Sequence, residues 1–115
     1  MYFTESLKKN FQFRFVYNKG KSIANKYLVM YIIKNSTGKN RLGISVSKKV
    51  GNSVVRSRVT RLIRESYRLK EQQFQNGWDI VVIARVSAKD ASYEDISKAL
   101  YHLSKKNNII KAENW

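Results

Sequence analysis

The side chains best suited to chemistry in this sequence are the arginines that recur from Arg56 onward. A guanidinium group presents its N–H donors in a planar fork, which matches the oxygens of a phosphate group. In a helix, successive residues turn by about 100°. One face then carries Ser57, Arg61, Arg64 and Arg68, with Arg56 and Arg58 on either side. Glu65 is the only acid in the run, so these cations repel one another unless a polyanion neutralises them. The pattern predicts phosphate binding, with a merely solubilising face as the alternative.

The other side chains give little indication of an acid–base catalytic site or of a metal site. His102 is the only histidine and cysteine is absent, which excludes a thiol nucleophile and a zinc site with thiolate ligands. The acids Asp90, Glu94 and Asp95 cluster where a helix is predicted to begin, and capping explains them without a metal ion. We therefore expect no catalytic residue and no metal ligands in the protein.

The helix that must carry the arginines is predicted over residues 53–73. Its opposite face is apolar and would pack on a core; it comprises Val55, Val59, Leu62, Ile63, Ser66 and Leu69. Asn52 or Ser53 can cap its first turn, because a short side-chain oxygen accepts a hydrogen bond from a free backbone N–H.

The remaining elements predict an α+β fold with helices packed on a mixed sheet. A short helix is expected over residues 8–18, strands over 22–34, 41–48 and 78–85, and a last helix from Ser92. The strand at 78–85 is apolar on both faces, which indicates a central position. The short polar loop between the first two strands favours an antiparallel hairpin.

The sequence pattern gives three further expectations about individual residues. In the strand at 41–48, Leu42 and Ile44 should face one side of the sheet, and Gly43 and Ser45 the other. The aromatics Phe11 and Phe15 on the first helix are expected in the core. The tail from Asn107 should fray unless Trp115 packs against the body.

Composition restricts the class of protein and of partner. The 115 residues suffice for one domain, expected to span residues 1–115, and 43% of them are apolar. The formal net charge is +15, so nucleic acid is the first candidate partner and a membrane surface the second. No secretory signal and no apolar run of about 20 residues is present, which argues against a membrane span. The lack of cysteine suits the reducing cytoplasm.

The basic run also resembles a known family. Gly51-Asn52, then Arg56-x-Arg58, then Arg61-Leu62-Ile63-Arg64-Glu65, is similar to the signature of the bacterial ribonuclease P protein subunit. The sequence departs from the family at two positions: Ser57 stands where an asparagine is usual, and Thr60 where a lysine or arginine is usual. Other segments are similar too: Leu7-Lys8-Lys9-Asn10-x-x-Phe13, Ser22-x-Ala24-Asn25, and the run from Arg41 to Lys49.

This resemblance implies a fold and a role. The fold has the order α-β-β-β-α-β-α, if the segment 22–34 breaks into two strands, with a left-handed crossover at the basic helix. The role is that of an endoribonuclease subunit whose catalytic centre is in a partner RNA, which explains a very basic chain without catalytic residues. The protein subunit binds that RNA and the 5′ leader of precursor tRNA. Mg²⁺ would be held mainly by the RNA, and no protein partner is evident.

The resemblance also implies two binding surfaces. The surface for the RNA subunit comprises Lys48, Lys49, Arg56, Ser57, Arg58, Arg61, Arg64 and Arg68. The leader would occupy a cleft between the first helix and the sheet, formed by Phe13, Arg14, Tyr17 and Tyr31. Core packing of these aromatics is the alternative to a cleft.

Three other functions stay open at this point. A general structured-RNA-binding or ribosome-associated protein would explain the charge and the strands, but not the combined motifs. A DNA-binding module is less consistent, because a strand rather than a helix precedes the basic helix. A membrane-active helix would need the apolar face that the core requires.

Overall fold

A five-stranded mixed sheet with three helices forms the protein in the computed structural model, which describes residues 3–111. The helices are α1 (Asn10–Lys19), α2 (Ser53–Leu69) and α3 (Tyr93–Lys106). The strands are β1 (Thr4–Ser6), β2 (Lys21–Ala24), β3 (Leu28–Lys34), β4 (Asn40–Ser45) and β5 (Trp78–Ala84). Two short 3₁₀ turns, Glu71–Gln73 and Val86–Asp90, follow α2 and β5. The predicted α+β class and element order are confirmed, and β1 is an additional strand that the sequence did not indicate.

The strand order in the sheet is β1-β4-β5-β3-β2, so β5 is central as predicted. The expected hairpin between the segments 22–34 and 41–48 is wrong, because β5 lies between β3 and β4. The antiparallel hairpin is formed instead within 22–34, by β2 and β3. Its turn is organised by Asn25, whose side-chain oxygen accepts from the backbone N–H groups of Tyr27 and Leu28. Strand β5 is apolar on both faces, and its central position buries both of them.

Parallel neighbours need a long connection, and α2 supplies it between β4 and β5. The left-handed sense that the family resemblance implies for this crossover stays a prediction.

The larger core lies between one face of the sheet and the helices α2 and α3. Strands β3 and β5 contribute residues such as Met30 and Val82, both fully buried. The helices contribute Val59, Ile63, Tyr67, Ile96, Leu100 and Leu103, each fully buried. One position of the predicted apolar face is wrong: Leu69 is 56% exposed, because it is the last residue of α2.

The segment after α3 packs against the body rather than fraying. Ile109 is fully buried, and its carbonyl accepts from the N–H of Gln75 at 2.7 Å. The N–H of Lys111 donates to the carbonyl of Gln73 at 2.6 Å. The expectation that the tail frays from Asn107 is therefore wrong for residues 107–111, because buried apolar side chains follow Asn107. Trp115, expected to pin the tail, lies outside the described residues.

Candidate nucleic-acid interface

The helix α2 begins where the sequence predicts. The side-chain oxygen of Asn52 accepts from the N–H of Val55 at 3.0 Å and so caps the first turn. Just before it, a Cβ atom added to Gly51 would lie 2.7 Å from a methyl carbon of Val55, so only glycine allows this close approach. Lys48 and Lys49 precede the turn with exposed side chains, while Val50 is buried and anchors the segment.

Exposed arginines line the outer face of α2. Arg61 and Arg64 take part in none of the ion pairs found within residues 3–111, so their guanidinium groups are available to a ligand. Arg68 donates to both carboxylate oxygens of Glu65, at 3.1 and 2.8 Å. This contact lowers the pKa of Glu65 below its ordinary value. The predicted cationic face is present, and the single acid neutralises only one end of it.

The two flanking arginines are placed differently from the others. Arg58 is half-buried, and its guanidinium donates to the backbone carbonyls of Ala91 at 2.7 Å and Lys89 at 3.4 Å. These bonds tie α2 to the turn that leads into α3. Arg56 is also half-buried, and its Nε is buried without a hydrogen-bond partner. Arg58 therefore has a structural contact that the sequence pattern did not reveal.

The two departures from the family motif lie on the same helix. Ser57 is exposed beside the arginines. The hydroxyl of Thr60 donates to the carbonyl of Arg56 at 2.8 Å, one turn earlier in α2. Thr60 thus directs its polar group back to its own helix, and Ser57 offers only a short hydroxyl outward.

An aromatic cleft lies on the opposite face of the sheet, beneath α1. The ring centroids of Phe13 and Tyr17 are 6.3 Å apart, and those of Tyr17 and Tyr31 are 5.1 Å apart in an edge-to-face arrangement. All three rings are partly buried around a small second core formed by Leu7, Val16 and Val81. Burial raises the pKa of Tyr17 above its ordinary value, so its phenol stays protonated near neutral pH. The three aromatic residues predicted for the cleft therefore lie together, with Tyr31 packed against Tyr17 and outside the lining of the open part.

The open part of this cleft has a volume of about 440 Å³. It is lined by Asn10, Phe13, Arg14, Tyr17, Ile44 and Ser45. Arg14 is exposed at the rim, where it can meet a phosphate while the rings meet bases or riboses. The alternation along β4 predicted that Ser45 shares the face of Gly43, but it gave no reason to place Ser45 in a binding site.

Gly43 makes room for the aromatic ring of the cleft. A Cβ atom at this position would lie 2.7 Å from Cε1 and Cζ of Phe13 and 3.2 Å from Cβ of Leu7. Leu42, the preceding residue, is buried in the core on the α2 and α3 side. Adjacent residues of β4 thus point to opposite faces, as predicted, and the two candidate surfaces lie on opposite sides of the sheet.

Two aromatics of α1 lie outside both cores. Phe11 is 59% exposed and Phe15 is 52% exposed, so the expectation that they are core residues is wrong. Helix α1 runs from Asn10 to Lys19, and this register turns Phe13, Val16 and Tyr17 toward the sheet instead.

Most acids of the described chain have a structural partner or cap a helix. Arg41 forms a two-pronged ion pair with the buried Asp79, which also accepts from the amide of Asn35 at 2.8 Å. Asp95 and Ser92 form a capping box at the start of α3, and this contact lowers the pKa of Asp95. Within residues 3–111, no three His, Cys, Asp or Glu side chains converge on a point where a metal ion could be held.

Comparison with known proteins gives the family. A family model described as Ribonuclease P matches residues 1–108. The ribonuclease P protein component of Lachnoclostridium phytofermentans is 60% identical over 109 residues, which cover 95% of this chain and 94% of that protein. The chain belongs to the ribonuclease P protein family. Its motif-based assignment is thereby confirmed.

Solved structures of ribonuclease P proteins share the fold. The Staphylococcus aureus protein superposes with a TM-score of 0.80 at 39% identity, over 92% of this chain and 97% of that one. The Thermotoga maritima protein gives a TM-score of 0.80 at 32% identity, over 89% and 96% of the two chains. As a ribonuclease P protein, the chain is a subunit of an endoribonuclease in tRNA 5′ processing. Within residues 3–111, no helix is long and apolar enough to cross a membrane.

Proposed function

We propose that this ribonuclease P protein binds two RNA segments at once, the catalytic RNA along α2 and the 5′ leader of precursor tRNA in the aromatic cleft. The single observation that supports this most is the separation of the two surfaces on opposite sides of one sheet. A chain with one basic face would bind RNA but would not connect two RNA segments. A chain with two faces of different chemistry can hold the substrate against its partner RNA.

The surface on α2 is suited to a structured RNA backbone. Arg61 and Arg64 project from a rigid helix, and Lys48, Lys49, Ser57 and Arg68 extend the surface along it. Arginine contacts to phosphates give affinity and position but little sequence readout. Arg56 and Arg58 are half-buried at the flanks of this surface.

The cleft is suited to a single strand. Aromatic rings accept unpaired bases or riboses, with about 1–3 kcal/mol for each stacked base. Phe13 and Tyr17 supply the rings, Tyr31 supports the ring of Tyr17 from the sheet, and Arg14 at the rim supplies a cation for the backbone. Duplex RNA has its bases stacked already, so it gains nothing from these rings.

Catalysis is assigned to the RNA subunit, with Mg²⁺ held mainly by that RNA. The protein acts by raising the affinity of the complex for its substrate and for Mg²⁺, as the family resemblance implies. Precursor tRNA is processed where it is transcribed, so we place the chain in the cytoplasm.

Paired variants test the two surfaces separately. Arg61→Ala with Arg64→Ala should weaken binding to the catalytic RNA alone, measured by filter binding at fixed salt. Tyr31→Ala should leave that binding unchanged and reduce the preference of the assembled complex for precursor tRNA over mature tRNA. Lys98→Ala on α3, whose side chain pairs with Glu94 at 3.0 Å, is the control for removal of one positive charge. Equal effects of both variants in both assays would support the general RNA-binding alternative.

A further inference from the structure

We propose that Phe11 and Phe15 form a second stacking site for unpaired nucleotides, on the outer face of α1. The inference rests on the function proposed above and extends the leader path beyond the cleft. These two residues are called the outer pair. Both are more than half exposed, at 59% and 52%, whereas Phe13 and Tyr17 of the same helix are partly buried against the sheet.

The outer pair has the geometry of a platform. Residues four apart lie one above the other on the same face of a helix, so Phe11 and Phe15 present two neighbouring rings to solvent. Exposed aromatic rings on a rigid helix contact bases with little loss of side-chain freedom, and stacking tolerates any base sequence. Phenylalanine is usually a core residue, but the exposed fractions of these two side chains exclude core packing for them.

The position of Arg14 connects the outer pair to the cleft. Arg14 lines the cleft and is exposed at its rim. At about 100° per residue, it lies about 60° around the helix from Phe11 and about 100° from Phe15. A strand that leaves the cleft over Arg14 therefore meets the outer pair next, with the guanidinium group placed to bind the phosphate between the two sites.

The charge around α1 favours a polyanion over another protein copy. Helix α1 contains no acidic residue, and Lys8, Lys9, Lys19 and Lys21 flank it with exposed side chains. A second copy of the chain would bring a further formal charge of +15 against this cationic surface. Single-stranded RNA supplies both the negative backbone and the unstacked bases that match the exposed rings.

The test uses the protein assembled with a bacterial ribonuclease P RNA, and precursor tRNAs whose leaders carry 2-aminopurine at successive positions. Stacking quenches this fluorophore. In the unmodified complex we expect quenching at positions within the cleft and at positions farther upstream. Phe11→Leu with Phe15→Leu keeps the apolar volume but removes the flat rings, so quenching should disappear only at the upstream positions. Affinity for long-leader precursors should fall about tenfold, with affinity for short leaders unchanged.

Controls separate this inference from the function on which it rests. Tyr93→Leu removes a 40% exposed aromatic ring from the start of α3 and should change neither signal. Phe11→Trp with Phe15→Trp should retain upstream quenching. If the unmodified complex shows no preference for any leader, the proposed function fails. If leader preference is intact but the leucine variant behaves like the unmodified protein, only the outer site is refuted. Loss of self-association in the leucine variant, measured by sedimentation, would also overturn it in favour of a second copy.

Discussion

At the scale of single residues, the arginines of α2 divide into two kinds that the sequence does not distinguish. Arg58 donates to two backbone carbonyls near the start of α3, whereas Arg61 points outward without an ion pair in the described chain. The helical repeat could predict that both lie near the basic face. It could not predict the carbonyls that approach Arg58, because they belong to residues about thirty positions away.

Arg58→Ala should therefore lower the free energy of unfolding by about 1–3 kcal/mol, because it leaves carbonyl groups without their donor. Arg61→Ala should change it by less than about 0.5 kcal/mol, as expected for an exposed position. Urea denaturation followed by circular dichroism measures both. Equal stabilities of the two variants would show that the hydrogen bonds of Arg58 contribute nothing.

Gly43 supports the cleft through the space that it leaves open. Gly43→Ala should displace the ring of Phe13, lower stability by about 1–3 kcal/mol through overpacking, and reduce leader-dependent affinity. Adding Phe13→Leu to this variant should restore stability, because the clashing ring atoms are gone, but not leader affinity. A Gly43→Ala protein with unchanged stability and leader preference would contradict the close contact.

The positions of Phe11 and Phe15 were predicted wrongly, because the sequence did not fix which face of α1 packs on the sheet. Phe11, Phe13 and Phe15 alternate with other residues in a helix, so composition alone cannot tell which ring faces the sheet. The register of α1 decides it, and that register depends on the sheet beneath. The rings of Phe13, Tyr17 and Tyr31 nevertheless lie together, as the match to the family motif implied.

At the scale of elements, α2 is the part that the sequence predicts best. Its cap at Asn52 and its exposed Arg61 and Arg64 agree with the pattern. The helix ends at Leu69 rather than at residue 73, and the buried Tyr67 was not part of the predicted apolar face. The pairing of the strands was predicted least well. The short polar loop between β3 and β4 is compatible with a hairpin, but also with two strands that leave room for β5 between them, as found here. Apolar character on both faces of β5 was the signal that could have shown this.

The outer face of α2 should determine how steeply RNA binding depends on salt. Each cation that binds a phosphate contributes about 0.7–0.9 to the slope of log affinity against log salt. Arg61→Ala with Arg64→Ala should thus reduce the slope for the catalytic RNA by about 1.4–1.8. Lys98→Ala should leave it unchanged. An identical slope in the double variant would show that these arginines meet no phosphate.

At the scale of the whole molecule, the net charge and the arrangement of the helices both favour RNA binding. A formal charge of +15 disfavours the compact chain through self-repulsion, and a bound RNA relieves that cost. The sheet separates a helix with exposed arginines from a helix with exposed and half-buried aromatic rings. Composition predicted the class of partner, and the family motif predicted the reaction. The placement of the surfaces on opposite faces required the structure, because it depends on the side of the sheet on which each helix packs.

The most direct test of the central claim is cleavage of precursor tRNA by a bacterial ribonuclease P RNA at low Mg²⁺, with and without this chain. We expect cleavage at the mature 5′ end only when the chain is added, because the proposed role of the protein is to raise affinity for the substrate and for Mg²⁺. We also expect a smaller stimulation for precursors whose leader is too short to reach the cleft. Absence of stimulation, with binding to the catalytic RNA intact, would contradict the claim that this chain serves as the ribonuclease P protein subunit.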